Sequence, residues 1–284
     1  MINRRIFLNT ATHSALGALA LASLKSLDTK IVTTKLNKIG LQLYTLRNEM
    51  GKDFEGSLQK VAAIGYNEVE FAGYYNRTPN QVKEILDRYQ LEAPSAHVSL
   101  ADLRMKLDAS IDAAKVIGHK LLVCPYLNPD DRKTIDNYKR HAETFNKAAA
   151  ACRQAGIEFG YHNHEFEFIP IDGQVPLDVL LAETDKDLVK IELDLYWIKR
   201  GNQDALAFMK KNPGRFIAFH VKDMDKTPQQ SVTEVGRGII NFKDIFAQTK
   251  DAGIKYFIVE QDQCPGSPFD SIKISHDYLR NLNF

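Results

Sequence analysis

Residues 189–223 read VKIELDLYWIKRGNQDALAFMKKNPGRFIAFHVKD, and this stretch decides the fold. Two short runs rich in apolar and β-branched residues, VKIELDLYW and FIAFHVKD, enclose a more polar segment, and ionisable side chains lie near the end of each run. Such runs are typical of buried strands. The pattern recurs along the chain, where eight runs of this kind begin near Ile39, Tyr66, Ala93, His119, Ile157, Val189, Phe216 and Tyr256.

The segments between these runs have the period of helices. One segment places apolar side chains at i, i+3, i+4 and i+7, namely Val82, Ile85, Leu86 and Tyr89. Thr78 and Pro79 precede it, as expected for an N-cap and the first helical position. Four glycines stand just before a predicted strand, where a left-handed helix end is expected: Gly65, Gly118, Gly156 and Gly253.

Eight strands that alternate with helices predict an α/β protein, a single-domain (β/α)8 TIM barrel over residues 31–284. No linker rich in Pro, Gly or Ser divides this range. The competing fold is a doubly wound open sheet, which usually carries a glycine-rich phosphate loop after its first strand. Here the first run continues into residues 44–49, YTLRNE, which contain no glycine, so the barrel is favoured.

Composition limits the classes of partner. The chain has 37 Lys and Arg residues against 36 Asp and Glu residues, a formal charge of +1, and this balance disfavours a nucleic-acid partner. The three cysteines, Cys124, Cys152 and Cys264, are widely spaced and form no CxxC pair. A disulfide scaffold is therefore excluded, and no cysteine pair predicts structural zinc.

The first thirty residues differ from the rest. Arg4 and Arg5 precede the apolar residues Ile6 to Leu8, and a stretch rich in small residues follows from Ala11 to Leu24. This segment is too short and too weakly hydrophobic for a membrane span, so we expect no stable membrane insertion. It resembles a twin-arginine export signal over residues 1–30 and predicts a periplasmic protein. The alternative is an ordinary N-terminal amphipathic helix.

Ionisable side chains gather at the ends of the last four predicted strands. A barrel carries its chemistry at the carboxyl ends of its strands. Asp194, His220 and Glu260 stand at equivalent ends of three successive strands, and a divalent cation needs imidazole and carboxylate ligands that converge in this way. A buried salt bridge or a core histidine would explain each residue singly, but their joint placement predicts a shared metal ion.

Six motifs, which cover almost all predicted strands, resemble the sugar phosphate isomerase/epimerase superfamily of xylose isomerase-like barrels. They are GLQLYTLR at 40–47, GYHNHEFEF at 160–168, LDLYW at 193–197, HVKD at 220–223, GRGIINF at 236–242 and VEQD at 259–262. The resemblance implies a divalent cation, Mn or Mg first and Zn or Co as alternatives. Its ligands would be a glutamate of the fifth strand together with Asp194, His220 and Glu260.

The fifth strand departs from the family pattern. The family has Glu-Asn-His where this chain has His162-Asn163-His164. Either His162 replaces the glutamate as a ligand, or Glu165 or Glu167 supplies the carboxylate. We expect Glu167, because an exported subgroup with the pattern HNHxFEF retains that glutamate.

The remaining candidate residues are assigned to proton transfer and substrate binding. His162 and His164 are the candidate base and acid, because imidazole titrates near neutral pH. Lys222 is expected to stabilise oxyanion charge. Substrate contacts are expected from residues near the barrel mouth, which are Tyr44, Arg47, Glu70, His97 and Trp197.

The resemblance implies a metal-dependent sugar isomerase or epimerase that removes a proton next to a keto group of a small carbohydrate. One departure weakens the epimerase mechanism: Trp197 stands where the epimerases have a substrate-binding histidine. A lyase or dehydratase acting on a keto-sugar or 3-keto-glycoside would use the same residues, and a barrel that only binds sugar is the minor alternative. The sequence leaves the oligomeric state open.

Overall fold

The computed structural model describes residues 34–284, in which eight parallel strands close into a barrel. The strands of the described range are numbered along the chain: β1 Gly40–Gln42, β2 Glu68–Phe71, β3 Glu92–His97, β4 Leu121–Cys124, β5 Glu158–His162, β6 Val189–Asp194, β7 Phe216–Val221, β8 Asp223–Met224, β9 Val232–Thr233 and β10 Tyr256–Val259. The barrel order is β1-β10-β7-β6-β5-β4-β3-β2, while β8 and β9 form a separate antiparallel pair.

Helices fill the intervals between the barrel strands. They are α1 Arg47–Lys52, α2 Phe54–Ile64, α3 Pro79–Tyr89, α4 Leu100–Met105, α5 Leu107–Ile117, α6 Ile135–Gln154, α7 Pro176–Glu183, α8 Leu195–Arg200, α9 Ala205–Lys211, α10 Phe242–Ala247, α11 Thr249–Ala252 and α12 Pro268–Asn281. Short 3-10 helices cover Leu43–Leu46, Pro129–Arg132 and Phe166–Phe168. The predicted single-domain (β/α)8 barrel and its eight strands are thus confirmed.

The predicted helix boundaries are confirmed where local chemistry specifies them. Helix α3 begins after Thr78, whose side chain accepts from the Gln81 N–H while the Gln81 side chain accepts from the Thr78 N–H. This reciprocal pair satisfies two N–H groups that the first helical turn leaves free. At the helix ends, the four predicted glycines all have positive φ, with values of 119°, 102°, 73° and 82° for Gly65, Gly118, Gly156 and Gly253.

Alternation along β6 aims two carboxylates into the barrel. Glu192 and Asp194 share the inward face, whereas Ile191 and Leu193 pack in the apolar core outside the barrel wall. The register of β6 against β7 sets Asp194 directly beside His220. Strand pairing therefore brings two predicted ligands together without any loop.

Two of the predicted runs extend beyond their strands. The residues after β1, Leu43–Leu46, form a 3-10 helix, and the residues after β6 begin α8. Asp194 ends the strand because its Oδ1 accepts from the N–H groups of Tyr196 and Trp197 at 2.9 and 2.8 Å, which caps α8. Trp197 is therefore on a helix rather than at a strand end.

The expected export signal, residues 1–30, lies outside the described residues. Within residues 34–284, no helix has both the length and the apolar character needed to cross a membrane.

Glycine at the end of α2 gives a test of the packing of α2 against α12. A Cβ on Gly65 would lie 2.7 Å from Cε1 of the buried His276, whereas a Cβ on Gly118 would meet no heavy atom within 4 Å. Both residues have positive φ, so alanine at either costs about 1–3 kcal/mol in backbone strain. We expect Gly65→Ala to lose measurably more free energy of unfolding in urea than Gly118→Ala. Equal losses in the two variants would contradict the close packing of His276.

Candidate active site

Four buried side chains meet at the carboxyl end of the barrel, and we call them the outer cluster: His162, Asp194, His220 and Glu260. The Nε2 of His162 lies 3.2 Å from Asp194 Oδ2. The Nδ1 of His220 lies 3.8 Å from the same oxygen and 3.0 Å from Glu260 Oε2. One ligand atom from each residue lies within 4.8 Å of all the others, so a single cation can contact all four.

The donor set fits a divalent metal ion. Two imidazoles and two carboxylates are common ligands of such ions. The Nδ1 of His220 faces Glu260 Oε2 at 3.0 Å, so one cation can contact both atoms. Asp194, His220 and Glu260 were all expected as ligands, and the barrel brings them together.

Glu167 is the one expected ligand that the structure places outside the outer cluster. Its Oε1 accepts from the Tyr161 hydroxyl, and its Oε2 accepts from the His164 N–H at 2.8 Å. The 3-10 turn at Phe166–Phe168 directs this side chain back towards β5. Glu165, the alternative carboxylate, is half-buried and also lies outside the cluster. His162 occupies the fourth position instead.

Lys222 lies within the outer cluster. Its Nζ is 2.6 Å from Glu260 Oε2, 3.2 Å from Asp194 Oδ2 and 3.0 Å from Asp262 Oδ2. Burial alone would lower the pKa of Lys222, but these carboxylates raise it well above its usual value. The residue expected to stabilise oxyanion charge is therefore a charged ammonium group held by carboxylates.

The carboxylates of the outer cluster are ionised. Burial would raise the pKa of Asp194, but Lys222 together with His162 and His220 lowers it to about 2. Burial also opposes ionisation of Glu260, yet Lys222 and His220 hold its pKa well below the usual value. Metal ligation requires deprotonated carboxylates, so this charge state suits a cation.

A cavity of about 410 Å³ opens onto the outer cluster from the barrel mouth. This volume lies within the usual range of small-molecule sites. Six of the candidate residues line it, and these are Tyr44, His97, His162, His164, Lys222 and Glu260. The structure therefore brings the candidate catalytic histidines, the lysine and two candidate substrate contacts around one cavity.

Aromatic rings hold His164 in place at the cavity wall. Its ring lies parallel to Phe166, with centroids 5.3 Å apart, and meets Tyr126 edge-on at 5.1 Å. The Trp197 ring lies 5.2 Å away on another side. The buried Nδ1 of His164 has no hydrogen-bond partner in the described range, while burial, His162 and Lys222 lower its pKa well below the usual value. A neutral imidazole with a free nitrogen can accept a proton.

Three candidate substrate contacts lie away from the cavity lining. Glu70 is fully buried beneath the mouth, where its Oε1 accepts from Gln42 Nε2 at 2.6 Å. Trp197 packs against His164, and its ring centroid is 5.5 Å from Lys222 Nζ. Arg47 lies over the Tyr44 ring and donates to the Asp262 carbonyl.

A second group of ionisable side chains lies deeper in the barrel, and we call it the inner cluster: Glu70, His97, Glu192 and His220. Its ligand atoms also lie within 4.8 Å of one another. Burial would lower the pKa of His97, but Glu70 and Glu192 raise it to about 9. Burial and the nearby Glu70 raise the pKa of Glu192.

Sequence reasoning missed Glu192 and Gln42. The signal for Glu192 was its two-residue spacing from Asp194, which places both residues on the same face of a strand. Gln42 of β1 faces inward, because its side chain contacts both Glu70 and His97. A polar side chain two residues before a ligand on a barrel strand indicates a deeper polar layer.

A closed (β/α)8 barrel with a four-residue imidazole and carboxylate cluster at the carboxyl ends of its strands defines the class of this protein. The chain belongs to the xylose isomerase-like TIM barrel family, whose profile matches residues 58–282.

The chain is also similar to individual proteins in sequence and in structure. The chain is 24% identical over 273 residues to an inosose dehydratase of Lacticaseibacillus casei, a match that covers 81% of this chain and 91% of that protein. A crystal structure of a sugar phosphate isomerase/epimerase from Parabacteroides distasonis is 29% identical, with a TM-score of 0.74, and covers 86% of this chain and 98% of that one. A zinc-bound IOLI protein shares the fold at 12% identity and a TM-score of 0.68, over 84% of this chain and 95% of that one.

The position of Glu167 predicts a pH effect on stability. Burial raises its pKa from 4.5 to about 7. Because the folded state disfavours ionisation, the protein loses stability as pH rises from about 4.5 to about 7, by roughly 3 kcal/mol at most. Glu167→Gln can keep both hydrogen bonds, with its oxygen accepting from His164 N–H and its amide donating to Tyr161.

We expect Glu167→Gln to gain stability relative to the wild type as pH rises through this window, measured as the free energy of unfolding in urea at several pH values. A difference between the two proteins that does not change with pH would show that the Glu167 carboxyl titrates normally.

Proposed function

We propose that this protein is a metal-dependent enzyme that eliminates a β-substituent from a keto-sugar, as a lyase or dehydratase. One observation carries the proposal: the outer cluster contains one glutamate, Glu260, and His162 in place of a second. Proton exchange across two faces of a sugar by two metal-bound glutamates is therefore not available. Elimination needs one base beside the acidic carbon, and we assign that role to His164, which lines the cavity. The named inosose dehydratase relatives support the same class of reaction.

His162, Asp194, His220 and Glu260 would hold the cation. When bound there, a divalent cation supplies Lewis-acid polarisation of a ketone, which makes the neighbouring C–H bond more acidic. With two imidazoles in the donor set, Zn²⁺, Mn²⁺ and Co²⁺ are favoured over Mg²⁺, which prefers oxygen ligands.

The other residues of the cavity have separate tasks. The free Nδ1 of His164 accepts the proton from the carbon next to the ketone, and the surrounding rings keep the imidazole at the cavity wall. The ammonium group of Lys222 stabilises negative charge that develops on the substrate oxygen. The electron pair of the broken C–H bond forms the new C=C bond, and the β-hydroxyl takes up the proton held by the His164 imidazolium and leaves as water.

Isomerisation or epimerisation is the second candidate. His162 and His164 lie close together, with ring centroids 4.9 Å apart, and could deliver a proton to a different position of the same intermediate. The Parabacteroides distasonis relative, which is named as an isomerase/epimerase, supports this alternative. A barrel that only binds sugar is the third candidate, and only an activity measurement separates it from the first two.

The lining of the cavity favours an unphosphorylated substrate. No arginine is among the described lining residues, and the charge of Lys222, the lysine among them, is already paired with carboxylates. A phosphate group usually requires arginine or a helix N-terminus. We therefore propose a free keto-sugar, keto-cyclitol or 3-keto-glycoside.

Incubation in D₂O with candidate keto-sugars and added Mn²⁺ or Zn²⁺ tests the reaction. We expect release of a substituent and an enone product, measured by NMR and mass spectrometry. Deuterium incorporation with the substituents intact would instead support the isomerase. Binding without either product would support the sugar-binding barrel.

His164→Gln separates the base from the metal ligands. We expect kcat to fall about 10²- to 10⁴-fold, the usual contribution of a general base, while bound metal is retained. His141→Gln makes the same chemical change on α6, away from the cavity, and should keep its activity. Activity of His164→Gln close to the wild-type value would contradict the assignment of the base.

We also propose that residues 1–30 direct the protein to the periplasm by the twin-arginine route. Replacement of both Arg4 and Arg5 by Lys keeps the positive charge and removes the arginine pair. We expect the doubly substituted chain to accumulate in the cytoplasm, measured by fractionation and immunoblotting. Unchanged export of this variant would contradict the proposal.

A further inference from the structure

We infer that the inner cluster, Glu70, His97, Glu192 and His220, is a second metal site that binds a divalent transition-metal ion such as Zn²⁺ below the outer cluster. The inference rests on the positions of four ligand atoms, on the number of protons available between them and on the charge of the surroundings. It does not require that the proposed function be correct.

The four ligand atoms form a closed ring. His97 Nε2 lies 2.9 Å from Glu70 Oε1 and 3.0 Å from Glu192 Oε2. His220 Nε2 lies 2.8 Å and 3.2 Å from the same two oxygens. A point equidistant from atoms spaced in this way lies about 2 Å from each, which is the bond length of Zn²⁺ to imidazole nitrogen and carboxylate oxygen.

Hydrogen bonding alone satisfies this ring poorly. A ring nitrogen of histidine carries at most one hydrogen, so two N–H groups must serve four N···O contacts. Glu70 Oε1 also accepts from Gln42 Nε2, whereas Glu70 Oε2 and Glu192 Oε1 are buried without a partner in the described range. Buried carboxylate oxygens are costly to leave unpaired. A central cation would contact all four atoms and could also bind the second oxygens.

The charge balance of the inner cluster also supports a bound cation. No lysine or arginine of residues 34–284 forms an ion pair with Glu70 or Glu192, and histidines are their recorded partners. The outer cluster differs, because Lys222 contacts its carboxylates directly. The two inner carboxylates therefore depend on imidazolium charge or on a bound cation, and one divalent cation balances both.

His220 connects the two clusters. Its Nδ1 faces Glu260 of the outer cluster, and its Nε2 faces Glu70 and Glu192. His220 would thus supply one ring nitrogen to each site.

The competing explanation gives the inner carboxylates a positioning role. A histidine that binds metal commonly donates its other N–H to a carboxylate, which fixes the orientation of the ring. In that case Glu70 and Glu192 would orient His220 and the chain would bind one ion. The two explanations differ in the number of ions bound.

Counting bound Zn²⁺ tests the inference. The full-length protein is stripped with a chelator, equilibrated by dialysis against excess Zn²⁺, and analysed by mass spectrometry for zinc per chain. We expect two equivalents in the wild type, one in Glu192→Gln and one in Glu260→Gln. His141→Gln, a histidine change outside both clusters, should retain two.

One equivalent of zinc per wild-type chain would overturn the inference. This measurement needs no variant. Two equivalents that persist in Glu192→Gln would also overturn it, because the second ion would then lie elsewhere. If Glu192→Gln does not fold by circular dichroism, His97→Asn takes its place with the same expectation. Absence of turnover on keto-sugars would contradict the proposed function but would leave the count of ions unchanged.

Discussion

Carboxylates buried at the centre of the barrel impose the constraint on which the rest of this molecule depends. Asp194, Glu192 and Glu70 have no exposed surface, and Glu260 is buried except where it lines the cavity. An unpaired carboxylate in such surroundings costs several kcal/mol, so each must find positive charge or donors within a few ångströms. The closed sheet brings these groups close enough together to share their partners. The resulting network also fixes the chemistry of the cavity above it.

His220 carries much of this network because of its position in the sheet. Strand β7 lies between β6 and β10, so its inward residue faces Asp194 on one side and Glu260 on the other. Burial would lower the pKa of His220, but Glu192 and Glu260 raise it well above its usual value. Any change of register between β6 and β7 would move Asp194 away from His220, so the barrel architecture and the site depend on the same strand pairing.

The barrel could be predicted from the sequence because short segments of the chain specify each strand and each helix end. Each strand is a short apolar run. The helix before a strand often ends at a glycine, as α2 does at Gly65. Asp194, His220 and Glu260 were predicted because strand ends converge in every barrel of this kind. The sequence did not decide between His162 and Glu167 as the fourth residue of the outer cluster. That choice depends on the turn at Phe166–Phe168, which directs Glu167 towards Tyr161. Turn geometry of this kind is not encoded by strand alternation.

The difference between the two clusters follows from the position of Lys222. Within the outer cluster and its neighbour Asp262, three carboxylates face one ammonium group. With His162 and His220 neutral, as metal binding requires, two negative charges remain for a divalent cation to balance. Lys222 thus reduces the negative charge of the three carboxylates without cancelling it. An ion in that position would keep an open side towards the cavity, where a substrate can reach it. The inner cluster has no such lysine, and its members other than His97 lie beneath the cavity, so an ion there would stabilise the barrel and orient His220.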